Sequence, residues 1–225
     1  MATLEDVKNA VIASFEKYDF MVGLSRIMTF MSTDLSSFYL DIAKDILYCN
    51  AKDSLRRKQM QNVIYEVSST LLRLLTPILP FTMEEVHQNM PDYNGKSAQL
   101  LDYPKVSHVY GAKVLKEYDE FKDLRDAVNK EIEQVRASGI IGSSQEALVV
   151  LPKSELLKRL GLENKADELA KLFIVSKVEL SDKDKIEVHH IEAKKCPRCW
   201  NYVDELYRVD EETEVCARCL EVLKK

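Results

Sequence analysis

The stretch DSLRRKQMQNVIYEVSSTLLRLLTPILPFTMEEV, residues 53–86, decides the fold class. Leu55, Val63, Val67, Leu71 and Leu74 recur at the three- and four-residue steps that line one face of an α-helix. Pro77 lacks the amide hydrogen needed to continue the ladder and ends the run. Asp53 is suited to cap its start. Thr82 followed by Glu85 has the form of a capping box, which predicts a further helix over TMEEVHQNM, residues 82–90.

The same periodicity extends upstream. LEDVKNAVIASFEKY, residues 4–18, places Leu4, Val7, Val11 and Phe15 on one face. FMVGLSRIMTFMSTDLSSFYLDIAKDILY, residues 20–48, continues with Phe20, Leu24, Ile27 and Met31, then Leu35, Phe38, Ile42 and Ile46. Methionines and aromatics at this spacing read as core. Four helices with short joints predict an antiparallel bundle over residues 1–105.

Downstream, PDYNGKSAQLLDYPKVSH (91–108) is a turn-rich linker. Val114, Tyr118, Phe121, Leu124, Val128, Ile132 and Val135 then predict one long amphipathic helix that Gly139 stops. ALVVLP, IVSKVEL and IEVHHIEA read as strands, and SELLKRLG and ENKADELAKLF as short helices. The expected architecture is mainly α: the bundle, a long helix with a small α/β unit over 106–185, and a four-cysteine, ribbon-like tail over 186–225.

Composition narrows the function. Among 225 residues, 46% are hydrophobic and 31% charged, the profile of a globular chain. A net charge of -5 argues against broad, sequence-independent binding of nucleic acid, while leaving room for a local basic patch. The longest apolar run, LLRLLTPILPF, carries Arg73 and two prolines and is too short to span a bilayer. MATLEDVKNA has no signal-peptide pattern, so a cytoplasmic location is expected.

Cys196, Cys199, Cys216 and Cys219 form C-x2-C-x16-C-x2-C, the spacing of a zinc ribbon or treble clef. A two-residue gap lets both sulfurs of one knuckle reach one ion, and the hairpin between the pairs brings the second knuckle across. Four filled positions make the expected zinc structural. A rubredoxin-like iron site and a dithiol redox pair are the other occupants this spacing admits. His189 and His190 read as strand-surface residues, and Cys49 as an inert core thiol. Trp200, the only tryptophan, either covers the metal site or forms an exposed platform for an unpaired base, with Lys194, Lys195, Arg198 and Arg218 near it for phosphate. In residues 194–225 Lys and Arg are matched one for one by Asp and Glu, so bulk charge cannot drive binding there. KDSLRRKQ gathers Lys52, Arg56, Arg57 and Lys58 against Asp53, either as a solvated helix face or as a phosphate-contacting one.

Catalytic patterns are missing. GKS at Gly95 is not a P-loop, because the earlier glycine would fall at Met90, and there is no G-x-S-x-G, H-E-x-x-H or Gly-rich dinucleotide turn.

DLSSFYLDIAKDILYC, DSLRRKQMQNVIYEV and LLRLLTPILPFTMEEV together resemble the anticodon-binding helical domain of class I aminoacyl-tRNA synthetases of the Val/Ile/Leu group. VRASGIIGSSQEALVVL, followed by CPRCW and CARC, resembles the C-terminal part of the bacterial isoleucyl-tRNA synthetase family. QNVIYEV and FTMEEVHQNMP depart from the commoner QTVLY and FTAEEVW forms, with His87 at a packing position. The resemblance implies a parent ligase that joins isoleucine to its tRNA using ATP, with the catalytic and editing domains lying outside this chain, which alone would not aminoacylate. It implies isoleucine tRNA as partner, with no DNA and no membrane, and a monomer. It makes Cys196, Cys199, Cys216 and Cys219 the zinc ligands. Arg56 and Arg57 become backbone contacts, Trp200 and Arg198 candidates for the anticodon bases, and Lys58 and Arg218 further tRNA-binding residues. A reading of a different class is a free-standing zinc-ribbon adaptor that binds protein through its bundle.

Overall fold

The computed structural model describes residues 1–224, and among these the chain is mostly helical. It divides into two compact units. One comprises Met1–Ala43 with Asp53–Val114, the other Lys44–Lys52 with Leu115–Lys225.

In the first unit, α1 (Ala2–Glu16) buries Leu4, Val7, Val11 and Ile12, the stripe its spacing predicts. Tyr18, at φ 59°, turns the chain, and the Asp19 carboxylate caps α2 (Phe20–Thr29) by accepting from the Val22 amide at 3.4 Å. The buried side of α2 runs through Gly23, Ile27 and Phe30, whereas Phe20 and Met31 are exposed. Phe30–Leu40 is π-helical, and α-helical winding resumes in α3 (Asp41–Cys49), whose residues from Lys44 onward belong to the second unit. Hydroxyls accompany the change of winding. Thr29 donates to the Ser25 carbonyl at 3.0 Å, Ser32 to Met28 at 2.9 Å, and Ser37 to Ser32 at 2.6 Å, five residues back.

α4 (Leu55–Leu75) starts from Ser54 rather than Asp53, with the Lys58 amide bonded to the Ser54 carbonyl at 3.1 Å. Its buried face is Val67, Leu71, Leu72, Leu74 and Leu75, which join the α1 and α2 residues and Met83 in one core. The fourth helix, α5 (Pro80–Gln88), opens at Pro80 instead of Thr82. Proline is favoured at the first helical position because the amide it lacks would have no partner there. Thr82 therefore lies inside the first turn and caps nothing. His87 is buried and meets the Tyr93 ring edge-on at 5.3 Å.

Carboxylates fasten the linker. Glu84 accepts from the Ser97 hydroxyl at 2.7 Å and the Ala98 amide at 2.8 Å. Glu5 accepts from the Ser107 hydroxyl at 2.6 Å and from the amides of Val109 and Tyr110 at 3.0 and 2.9 Å. Asn9 pairs with both backbone groups of Ser107.

The second unit is built on the long helix α6 (Ala112–Ala137), which buries Phe121, Val128 and Ile132. Gly139, at φ 77°, closes it: its amide bonds to Arg136 O at 3.0 Å and that of Ile140 to Val135 O at 3.3 Å, the paired pattern of a Schellman cap. β1 (Ala147–Pro152) alternates fully buried Ala147, Val149 and Leu151 with half-buried neighbours. It is the centre of a three-stranded sheet, parallel to β2 (Lys177–Ser181) and antiparallel to β3 (Glu187–His190), in register Val149↔Val178 and Val149↔Val188. A parallel pair needs a crossover, here α7 (Glu155–Arg159) and α8 (Ala166–Phe173). Phe173 of α8 stacks on Phe121 of α6 with ring centroids 5.9 Å apart. No described helix is long and apolar enough to cross a membrane.

Candidate metal centre and nucleic-acid interface

The tail is two short hairpins and a helix. β4 (Lys194–Lys195) pairs with β5 (Tyr202–Val203), and β6 (Tyr207–Arg208) with β7 (Glu214–Val215), all four being two-residue strands. The first hairpin carries Cys196 and Cys199 in its bend. Cys216 stands at the position just before α9 (Ala217–Leu223), and Cys219 lies in that helix's first turn. The Ser176 hydroxyl anchors the tail to the sheet layer, accepting from the Tyr202 amide at 2.7 Å and donating to Gln145 O at 2.6 Å.

All four cysteine sulfurs lie within 4.8 Å of one another. Tetrahedral zinc with arms of about 2.3 Å has sulfur–sulfur edges of about 3.8 Å, and Cys199 Sγ lies 3.8 Å from Cys216 Sγ. The donor set fits zinc: four soft sulfurs, no carboxylate, and no position left for water. Cys196, Cys216 and Cys219 are buried, and Val203, Leu206, Val215 and Leu220 pack against the cluster. His189 and His190 are exposed on β3, His189 facing Glu187 at 3.4 Å, and neither belongs to the sulfur cluster.

The thiols are unequal. Burial pushes Cys196 up, but the amides of Cys199, Cys216 and Arg198 directed at its sulfur prevail and bring it down to about 7. Burial pushes Cys199 up to about 11 and also raises Cys219. A metal that takes all four as thiolates therefore displaces protons on binding.

Trp200 immediately follows the first knuckle. Its amide donates to Cys196 O at 2.8 Å, Cys196 in turn donates to Asn201 O at 2.9 Å, and this closure holds Trp200 at φ 64°. The indole is 64% exposed and is not among the residues packed on the sulfur cluster. Of the two roles open to it, covering the metal is therefore taken by Val203, Leu206 and Leu220. The Lys195 ammonium stands 5.7 Å from the Trp200 ring and 5.9 Å from the Tyr202 ring.

Arg198 and Arg218 face a different group. Arg218 forks onto the Asp45 carboxylate with both contacts at 2.6 Å, which raises its pKa further. Arg198 donates through Nη1 to Cys49 O at 2.8 Å and Cys219 Sγ at 3.3 Å. Cys49 is buried, its thiol pushed up by burial and by Asp45, as suits an inert core residue. Asp45 and Ser176 went unnoticed in the sequence, since no local pattern marks either. Lys195 stands by the indole as its place in the sequence suggests, and Tyr202 carries a hint in sitting beside the knuckle.

In the first unit, Arg56 and Lys58 are exposed and Arg57 half-buried on the opening turn of α4. The amides at the start of a helix add positive potential to that of the side chains.

Residues 1–151 match the family described as the anticodon-binding domain of tRNA ligase, and residues 193–222 match the zinc finger found in FPG and IleRS. The chain belongs to the family of tRNA-ligase anticodon-binding domains. It is a tRNA-recognition module, and its four-cysteine centre is a structural zinc site. The isoleucine–tRNA ligase of Staphylococcus epidermidis is 39% identical over 98% of this chain. Those of Staphylococcus haemolyticus and Staphylococcus aureus are each 37% identical over the same share. The chain spans 25% of the length of each of these relatives.

Proposed function

We propose that this chain is the anticodon-recognition part of an isoleucine–tRNA ligase, whose whole protein attaches isoleucine to its tRNA using ATP through domains outside this chain. The observation that carries the reading is the joint match of bundle and zinc finger, together with relatives of that name aligned over 98% of the chain. Within it, the bundle (1–105) lies along the anticodon stem and loop, the α/β unit (106–185) extends the contact, and the tail (186–225) presents Trp200. The four cysteines hold zinc, which supplies folding free energy to a segment too small to bury a core of its own. The protein works in the cytoplasm as a monomer on isoleucine tRNA.

The residue roles divide by chemistry. Trp200 stacks on an unpaired anticodon base, and Arg56, Arg57 and Lys58 meet backbone phosphate. Arg198 and Arg218 hold the knuckles that present the indole, and their remaining N–H donors serve nearby tRNA phosphate. The family match leaves the free-standing adaptor without a supporting observation. The test is a titration of the zinc-loaded chain with isoleucine tRNA against the same tRNA with its anticodon replaced. Tighter binding of the first is expected, and equal, weak binding of both overturns the proposal.

A further inference from the structure

Arg198 and Arg218 lie one in each zinc knuckle, and both reach the last turns of α3. The final carbonyls of a helix have no partner within it, and a cation there also meets the negative end of the helix dipole. α3 has no basic residue in its last turn. That role is filled by Arg198, which donates to Cys49 O at 2.8 Å and Tyr48 O at 3.4 Å, and which also touches Cys219 Sγ at 3.3 Å. Arg218 fixes the preceding turn through Asp45 at 2.6 Å on both arms. In return, the Cys49 thiol lies 3.9 Å from Arg198 O. The whole set lies inside one compact unit, which takes in Lys44–Lys52 along with the tail.

Four thiolates around a divalent ion leave a negative centre, which holds an N–H donor such as that of Arg198 on the Cys219 sulfur. A tail of two-residue strands cannot keep its knuckles closed by burial alone. Without zinc, both guanidinium groups lose the backbone that aims them.

We propose that the zinc knuckles are the C-terminal cap of α3, so that metal occupancy orders Lys44–Lys52, with Arg198, Arg218 and Asp45 as its positioning residues. The chain leaves this cap at Cys49 and enters α4 at Leu55, just ahead of Arg56–Lys58. Resting on the function proposed above, zinc is then needed for tRNA contact by that basic stretch as well as by Trp200.

Hydrogen exchange of the full chain, with and without a chelator, reads the cap directly. On zinc release the amides of residues 46–52 should lose protection by about tenfold or more, while those of 63–75 in α4 stay protected. Unchanged exchange at 46–52 overturns the proposal. Asp45→Ala, which removes no zinc ligand and leaves both knuckle sequences unchanged, should loosen the same amides with zinc content intact, and exchanging the two charges (Asp45→Arg with Arg218→Asp) should restore part of the protection. If Asp45→Ala with its zinc retained leaves exchange as in the wild type, the proposal also falls. A segment that loosens as expected in a chain that does not prefer isoleucine tRNA keeps the cap and removes only the functional reading.

Discussion

The Trp200 amide closes onto the Cys196 carbonyl at 2.8 Å, and together with the Cys196 amide on Asn201 O at 2.9 Å this closure holds the tryptophan at φ 64°, in the left-handed region. A bulky residue rarely adopts that conformation, which suits glycine and stores of order 1–3 kcal/mol otherwise. The knuckle would close more easily without the indole, so the ring is held against a local preference.

That conflict gives a substitution that separates the ring from the clip. Trp200→Gly should leave zinc affinity unchanged or raise it, because the knuckle relaxes. The same change should weaken tRNA binding by about 1–3 kcal/mol, the usual contribution of an aromatic platform to a stacked base. Zinc content by metal analysis and affinity by titration, on the same preparation, check both halves. A variant that binds tRNA as tightly as the wild type leaves the indole without a role in recognition.

The parts of this molecule that the sequence makes legible are those whose cause is local. Cysteine pairs with two residues between them can bring both sulfurs to one ion within one turn, and the spacing of Leu4, Val7 and Val11 is helical whatever it packs on. The rest depends on partners far along the chain. Asp45 and Arg218 are 173 positions apart, and nothing near either marks the other. The capping form of Thr82 and Glu85 points to a helix start at Thr82, whereas Pro80, suited to the first turn, opens α5. In the π-helical stretch from Phe30 to Leu40, Phe30 is buried while Met31, which the 3.6-residue spacing puts on the core face, is exposed, because a change of winding turns the apolar face away from that period.

Gly23 illustrates a constraint of that long-range kind. Inside a helix, alanine ordinarily gains about 1 kcal/mol over glycine. Here a Cβ would come within 2.4 Å of the Phe15 ring and 2.7 Å of the Ser14 hydroxyl, where α1 and α2 cross. Gly23→Ala should therefore destabilise the bundle, by about 1–3 kcal/mol for overpacking. Urea unfolding followed by circular dichroism measures it. A stabilised variant would mean that Phe15 swings aside freely.

Glu5 makes one part of the molecule sensitive to acid. Bonds from the Ser107 hydroxyl and the Tyr110 and Val109 amides lower its pKa from the ordinary 4.5 to about 2. A depressed native pKa contributes stability that is present above 4.5 and lost as pH falls through about 2. Glu5→Gln should speed exchange of the 107–110 amides at neutral pH, and its difference from the wild type should shrink steadily below pH 4.5. A difference that stays constant across that range would show that the carboxylate charge does not fasten the linker.

Lys58 is the cleanest probe of the basic stretch. It is exposed, and lysine binds phosphate as a point charge rather than through a shaped fork. If it neutralises one phosphate of the anticodon stem-loop, Lys58→Ala should lower the slope of log affinity against log salt by about 0.7–0.9. The loss should be uniform across tRNAs, because a backbone contact carries no sequence information. Trp200→Gly should show the reverse: a loss that depends on the anticodon, with the salt slope kept, since stacking releases no counterion. Measuring both variants at several salt concentrations against two tRNAs gives a pattern that neither substitution could produce by unfolding the chain. An unchanged slope for Lys58→Ala would return that turn of α4 to the role of a solvated surface.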